Sequence, residues 1–396
     1  MVNHKARKHA LLSASGAARW INCPPSARLE EDIPSTTSSY AEEGTLAHEF
    51  GDLKLRIKSH VGSVAAGSQY RKWSDKVKKL RKNKLYTDDM EGHVEVYVEY
   101  VLSEYYAAVK DTPDAVLKIE ERTDYSYLVP EGFGTSDANI IADGTLEIVD
   151  FKYGKGVKVG AKQNSQLRLY ALGLLRKFEL LYDIHTVKMT IVQPRLDHIE
   201  SETLPVDELI KWAEETVKPA AEQAYKGEGD CNPGDWCRWC KVKPTCKALA
   251  NHNLKLAKHD FAEPKTLTDE ELITVYKQIQ QLQDWAGSVA DHVLKEALAG
   301  KHWPGYKVVE GKSNRRWADE QKAIKRILDF SDNIELDQVV NTKIKGIGEI
   351  EKLVGKEELN KMGLLVKPQG KPTLVLESDK RPALGSAESA KKDFDN

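Results

Sequence analysis

The segment "GFGTSDANIIADGTLEIVDFKYGKG", Gly132 to Gly156, sets Asp137, Asp150 and Lys152 into runs that are otherwise apolar and strand-like. Its Asp143-Gly144 pair is a strong signal for a two-residue hairpin turn. With that turn, Asp137 faces Asp150 and Thr135 faces Lys152. Side chains alternate along a strand, so Asp150 and Lys152 share a face, and Asp137 lies on the same one. Directly opposed Cβ atoms lie about 4.5–5.5 Å apart. Two carboxylates at that distance repel, and a divalent cation between them is the simple remedy. An ammonium one step along the same face is placed to hold or activate a water beside the metal. The blander reading is a surface hairpin with scattered charges. Leu146, Ile148, Val149 and Phe151 count against it, because they make the second strand look buried on both faces.

A second chemistry is written in the cysteines. The spacing Cys237-x2-Cys240-x5-Cys246 suits thiolate ligation of tetrahedral zinc or of an iron–sulfur cluster. Three ligands leave one to find. Cys231 is near and would complete a compact local zinc module; Cys23, in "SASGAARWINCPPSARLE", is far away in sequence. Five cysteines in a chain of this size do not suggest a disulfide framework.

The elements that must position these groups follow from periodicity. A first helix is expected from about Ser26, and another near "EEGTLAHEF", with Gly44 and Thr45 capping the chain ahead of Leu46, His48 and Phe50. Residues 71–84, "RKWSDKVKKLRKNK", read as an exposed basic loop or helix. "MEGHVEVYVEYVLSEYYAAVK" keeps helical spacing through Val94, Val98, Val101 and Tyr105. Strands are expected at about 116–123, 133–142 and 145–152, then a helix over 162–177, the strand "TVKMTIVQP" and a helix across 206–226. That order indicates an α/β or α+β sandwich. Beyond the cysteines, Thr268 and Glu271 form a capping box for a long helix whose Leu272, Ile279, Leu282, Trp285, Val289 and Val293 line one face. A stripe of that length is expected to be buried on the core or on a partner subunit. The tail from about Ser378 is polar and expected to be disordered.

With 396 residues, 40% of them hydrophobic and 30% charged, the chain is an ordinary soluble globular protein. It is long enough for one large core with accessory pieces, or for two domains. A net charge of −2 argues neither for nor against nucleic acid. No apolar run approaches about 18 residues, so no membrane span is expected. The N-terminus is basic, but its apolar stretch is too short and broken for a secretory signal, and the cytoplasm is the default compartment.

"GTSD", then "DFK", then "QNSQLRLYA", in that order, resemble the PD-(D/E)XK nuclease superfamily in its RecB-like branch. The resemblance implies a restriction-endonuclease-like mixed sheet flanked by helices. It implies that Asp137 and Asp150, an Asp where Glu is commoner, bind Mg²⁺ or Mn²⁺ while Lys152 assists the attacking water. Gln166 and Tyr170 match the branch's Q-x-x-x-Y element, and a spacing of four puts both on one helical face. "EGTLAH" is similar to its N-terminal helix motif, whose histidine, here His48, is an extra metal ligand. Glu120 or Glu121, on the preceding strand, is a secondary candidate.

Members of the iron–sulfur type place one cysteine before the core and three after it. The small-residue run, aromatic and Cys-Pro around Cys23 resemble that first element. The resemblance therefore favours a [4Fe-4S] cluster on Cys23, Cys237, Cys240 and Cys246, with Cys231 a bystander. The cluster would tie the N-terminal helix to the nuclease core.

The motifs cover residues 10–250, so the expected division is a nuclease domain over 1–250, a mostly helical accessory region over 251–377 and a tail over 378–396. The implied activity is metal-dependent hydrolysis of DNA, as an exonuclease in replication, recombination or repair. The implied partners are single-stranded DNA or duplex ends and a single-strand-binding or annealing protein, in the host cytoplasm if the gene is phage-borne. Arg71, Lys72, Trp73, Arg315, Arg316 and Trp317 are candidates for tracking phosphates and stacking bases. The rival reading is a catalytically inactive nuclease-fold protein that binds or scaffolds DNA.

Overall fold

The computed structural model describes residues 10–34, 39–60, 67–258 and 268–306, with residues 325 and 357 in isolation. The chain divides into two units, Met1–Val308 and Val309–Asn396. All but two residues of the second lie outside the described residues. So do Arg315, Arg316, Trp317, the 378–396 tail and most of the 251–377 accessory region.

Among the described residues five α-helices precede the sheet: α1 (Ala17–Asn22), α2 (Ser26–Leu29), α3 (Ser39–Ser59), α4 (Gly67–Leu80) and α5 (Asp88–Asp111). The strands are β1 (Val116–Asp124), β2 (Phe133–Ile141), β3 (Gly144–Phe151), β4 (Ile184–Gln193) and β5 (His198–Pro205), with α6 (Ser165–Phe178) crossing from β3 to β4. After β5 one continuous helical run holds α7 (Val206–Trp212), a π-helical turn (Ala213–Val217) and α8 (Lys218–Lys226). The cysteine loop leads to α9 (Lys247–Lys258) and α10 (Asp269–Leu298).

The sheet order is β1-β2-β3-β4-β5. Only β3 and β4 pair in parallel; the other neighbours are antiparallel. Helices cover both faces. One core layer holds Leu146 and Ile148 of β3 with Leu167, Tyr170 and Leu174 of α6. The other holds Val149 and Phe151 with Phe50 of α3 and Tyr97 and Val101 of α5. Alternate residues of β3 therefore enter opposite layers, as a strand buried on both faces requires. This is the expected α/β, restriction-endonuclease-like architecture. Among the described residues no helix is long and apolar enough to cross a membrane.

The Asp143-Gly144 turn forms, with Gly144 at φ +80°, a conformation glycine adopts without steric penalty. The register is the one the turn predicts, from Ile141 opposite Leu146 to Ala138 opposite Val149.

Several boundaries differ from expectation. α3 opens at Ser39, so Gly44 and Thr45 lie inside it, and the Thr45 hydroxyl donates to the Ala41 carbonyl instead of capping. The first helices begin at Ala17, ahead of Ser26. β5 was not anticipated: "HIESETLP" alternates, but Glu200 and Glu202 stand on its inward face and Ile199 on its outward one, and Pro194 and Asp197 shape the turn before it. The α10 capping box is present, yet none of that helix's residues is buried. Leu282, Trp285, Val289 and Val293 are half-buried, and Leu272 and Ile279 are exposed.

Candidate functional site

The site opens where β2 and β3 part. Their ladder ends at Ala138–Val149. β2 stays paired with β1 as far as Asp124–Phe133, and β3 stays paired with β4 through Phe151–Val192. Each strand thus follows its outer neighbour, and a cleft opens between them. Asp137 and Asp150 are next in register but are no longer a ladder pair. The Asp137 Oδ2 instead accepts the Phe151 amide at 2.8 Å, which closes the parted ladder through a side chain. Thr135 likewise does not meet Lys152: it pairs with Arg122, and the Lys152 amide donates to the Val192 carbonyl.

α3 supplies His48. Its inward face, Leu46, Ala47 and Phe50, is buried, which sets the imidazole at the cleft edge. There Nδ1 lies 3.3 Å from the Asp137 Oδ1. The ring rests against Phe151 at 5.2 Å, and Phe151 stacks on Tyr97 at 4.6 Å. β1 supplies Glu120: Ile119 pairs with Ala138 and Glu121 with Ser136 in an unbroken register that sets Glu120 opposite Asp137, with its backbone at φ +52°. Glu121 instead pairs with Lys177 on α6. Ligand atoms of His48, Glu120 and Asp137 all lie within 4.8 Å of one another, the one such trio among the described residues.

Asp150, 3% exposed, completes the carboxylate set. Its Oδ1 accepts from Gln166 Nε2 at 3.2 Å. The Lys152 ammonium lies 2.7 Å from its Oδ2, yet that buried oxygen has no hydrogen bond of proper geometry. Lys152 donates to Gln166 Oε1 at 3.2 Å, and Gln166 Nε2 reaches the Tyr170 hydroxyl at 3.4 Å. One amide therefore holds both the acid and the lysine. Asn164 caps α6 by accepting the Gln166 and Leu167 amides, which fixes where Gln166 begins its helix. Gly134 permits this packing, since a Cβ there would come within 2.7 Å of the Tyr170 ring.

Electrostatics split the two aspartates. Burial works to raise the Asp137 carboxyl, but His48, Lys152 and the Phe151 amide outweigh it and hold it below the usual carboxylate range. Burial raises Asp150, and Asp137 adds to the rise against the opposing pull of Lys152. Glu120 is pushed up to about 7, first by burial and then by Asp137 and Asp52. For His48 burial works downward, but Asp137 and Asp150 outweigh it and raise the imidazole. Without a cation this cluster retains protons it would lose on binding one.

Two groups at the cleft carried no signal in the sequence. Arg195, in the turn after β4, pairs with Glu43 of α3 at 3.0 Å and lies over the Tyr153 ring at 4.7 Å. The positive φ of Glu120 is the second: no glycine or proline marks it. Arg71, Lys72 and Trp73 sit on α4, where both cations are exposed and Trp73 packs half-buried near His60 at 5.3 Å.

The cysteines converge without forming a ligand cluster. Cys23, Cys231, Cys237, Cys240 and Cys246 line one cavity of about 20 Å³, room for a single water. No three sulfurs approach as His48, Glu120 and Asp137 do. Cys231 lies close enough to Cys23 and Cys246 for both to raise its thiol. Burial pushes the Cys231 thiol up to about 11 and Cys240 up to about 12, with Glu30 adding to the latter. Glu30 ties the loop down: it pairs with Arg19 of α1 at 2.6 Å and accepts the Lys241 amide.

Among solved structures the chain is similar to that of a candidate exonuclease from Eubacterium rectale, at 11% identity and a TM-score of 0.34, over 68% of this chain and 95% of that one. It is also similar to a protein named SSO0001, at 11% identity and a TM-score of 0.21, over 59% of this chain and 96% of that one. Likenesses at these scores bear no weight for function. Residues 9–382 match a family model along nearly their whole length, and the chain belongs to the family described as "Protein of unknown function (DUF2800)".

Proposed function

We propose that the chain is a metal-dependent deoxyribonuclease of the PD-(D/E)XK type, RecB-like branch, acting as an exonuclease in DNA replication, recombination or repair. The observation that carries this reading is the convergence of His48, Glu120 and Asp137 within ligand distance beside the Asp150–Lys152 pair. The donor set fits a small hard cation. Three carboxylates and one imidazole suit Mg²⁺ or Mn²⁺, and Asp150 keeps a buried oxygen with an unmet hydrogen-bonding need. Bound there, a divalent ion would lower the pKa of a coordinated water and polarise a phosphodiester.

The chain's own residues would do the rest. Asp137, fixed by the Phe151 amide, and Asp150, fixed by Gln166, hold their carboxylates before any ion arrives. Lys152, kept charged by Asp150, orients the attacking water and stabilises charge on the pentavalent phosphate. Tyr170 holds Gln166, and so acts on Lys152 at one remove. The substrate is DNA, as single strands or duplex ends, with a single-strand-binding or annealing protein as companion, in a cytoplasm. The nuclease domain would end near residue 250, with α10 opening an accessory region.

We also propose that Cys23, Cys237, Cys240 and Cys246 hold a [4Fe-4S] cluster. Its support is the gathering of cysteines from the two sides of the core around one cavity. The cavity they line, about 20 Å³, does not itself accommodate a cluster. The nearness of Cys231 to Cys23 and Cys246 favours a second reading, zinc with Cys231 as a ligand. Iron and zinc content of Cys23→Ser and Cys231→Ser proteins decides between them. Iron lost only in Cys23→Ser supports the cluster; zinc lost in Cys231→Ser supports the module.

The nuclease reading is tested with purified protein, Mn²⁺ or Mg²⁺ and end-labelled single- and double-stranded DNA. Metal-dependent cleavage that disappears in Asp150→Ala is expected. Cleavage of equal rate in Asp150→Ala and parent would overturn the assignment. A folded parent that binds DNA but never cuts it would establish the scaffold instead.

A further inference from the structure

The connection from β3 to α6, residues 152–164, has no secondary structure of its own, and loops of this length in compact domains usually have a function. Both of its ends lie in the site: Lys152 starts it, and Gln166 is the second residue of the helix that follows it. Between them it carries Lys155, Lys158 and Lys162, all exposed. Among the described residues none of the three has an ion-pair or hydrogen-bond partner.

The backbone beneath them is held by buried and half-buried side chains of the β4–β5 hairpin. Gln193, 1% exposed, accepts the Val159 amide at 3.1 Å and donates to the Val157 carbonyl at 2.8 Å. His198, 4% exposed, donates to the Val159 carbonyl at 2.9 Å. Glu200 accepts the Ala161 amide at 2.8 Å, and Glu202 accepts the Gln163 amide at 3.0 Å. Gly160 lets Glu200 approach, since a Cβ there would come within 3.0 Å of the carboxylate. Val157, Val159 and Ala161 turn inward, while Lys158, Gly160 and Lys162 face out.

We propose that this loop is a preorganised rail for the phosphate backbone of a nucleic-acid strand as it enters the metal site. The proposal rests on the nuclease reading for the identity of the polyanion. The physical case is that three free ammonium groups stand on a backbone tied down at five points. The backbone ordering that binding would otherwise demand is already met by the fold. A solvated charge run has no need of buried Gln193 and His198 beneath it.

The test is fluorescence anisotropy of a labelled single-stranded DNA oligonucleotide in EDTA across a NaCl series, with no cleavage involved. Parent is compared with Lys155→Ala/Lys158→Ala/Lys162→Ala and with a charge-matched control, Lys110→Ala/Lys211→Ala/Lys226→Ala. The loop variant should lose about two units of salt slope, at about 0.7 per phosphate contact on a single strand. It should also bind about tenfold or more weakly at 100 mM salt, while the control stays within about twofold of parent. Equal binding by parent and loop variant, an equal loss in the control, or a parent that binds no DNA would each overturn the proposal. Lysine-dependent binding to anionic phosphatidylserine vesicles that exceeds binding to DNA would also overturn it. A parent that binds through these lysines yet cuts nothing in Mn²⁺ would fail the nuclease reading and leave the rail standing.

Discussion

The two clusters of potential ligands in this chain are built on different plans. At the cleft, Asp137 and Asp150 stand on strands whose outer neighbours keep their pairing, and each carboxylate is already held by a protein donor, the Phe151 amide or Gln166. Around the cysteines there is a loop with a single 3₁₀ turn, Asp235–Trp239, and its chief ties to the N-terminal helices run through Glu30. The first site owes its geometry to the sheet and needs no ion to keep it. The second has thiols burial keeps protonated and no compact ligand geometry, so a bound centre would have to supply the order.

The largest expected effect follows from that contrast. EDTA should leave the melting temperature of the parent nearly unchanged, because the Phe151 amide and Gln166 hold Asp137 and Asp150 in place without an ion. Cys23→Ser should lower it steeply and reduce soluble yield, on the order of several kcal/mol, since a centre joining distant parts of the chain contributes its binding free energy to folding. A large EDTA effect with a silent Cys23→Ser would reverse the comparison.

Gln166→Ala is the next in size. It removes the one donor to Asp150 Oδ1 and the acceptor for Lys152, and outer-shell losses of this kind cost about 10- to 100-fold in activity or metal affinity. Leaving a buried carboxylate short of a partner should also cost about 1–3 kcal/mol of stability, read from denaturant melts. Full activity in this variant would show that Asp150 and Lys152 position themselves.

Much of the cleft was legible from the chain. Asp143-Gly144 specified the register, because a two-residue turn leaves one pairing and strand alternation does the rest. Asp150, Lys152, Gln166 and Tyr170 accordingly meet as expected. The parting of β2 from β3 was not legible, because pairing with outer strands decides it and no local residue announces that. Glu120 was only a secondary candidate for a related reason. A positive φ at a glutamate inside a strand has no side-chain signature, and only the folded backbone reveals it. The α10 stripe misled differently, since helical periodicity says which residues share a face and not what covers it. Four of the five cysteines were legible as a group, but the nearness of Cys231 to Cys23 depends on how a loop folds back on α1.

A third buried polar cluster offers a smaller test, since it has charge without converging ligands. Glu147 of β3, 5% exposed, accepts from Thr190 at 3.1 Å and pairs with Lys188 at 3.2 Å. Burial, with Glu104 adding to it, pushes Glu147 up to about 7 despite Lys188. The folded state thus holds this proton more tightly than the unfolded chain, whose value is 4.5. Its contribution to stability is full below that value and is lost as pH rises through about 7. Glu147→Gln should flatten the fall in melting temperature across that window. An unchanged slope would show that Glu147 does not titrate in that window.

The central claim is that ligand and activator roles are divided, with His48, Glu120, Asp137 and Asp150 holding the ion and Lys152 acting on the water. Electron paramagnetic resonance of Mn²⁺, read beside cleavage of end-labelled DNA by the same samples, tests it most directly. Asp137→Asn should lose both the bound-Mn²⁺ signal and cleavage, whereas Lys152→Met should keep the signal and lose cleavage. Parent-like Mn²⁺ binding in Asp137→Asn, or parent-like cleavage in Lys152→Met, would contradict the account.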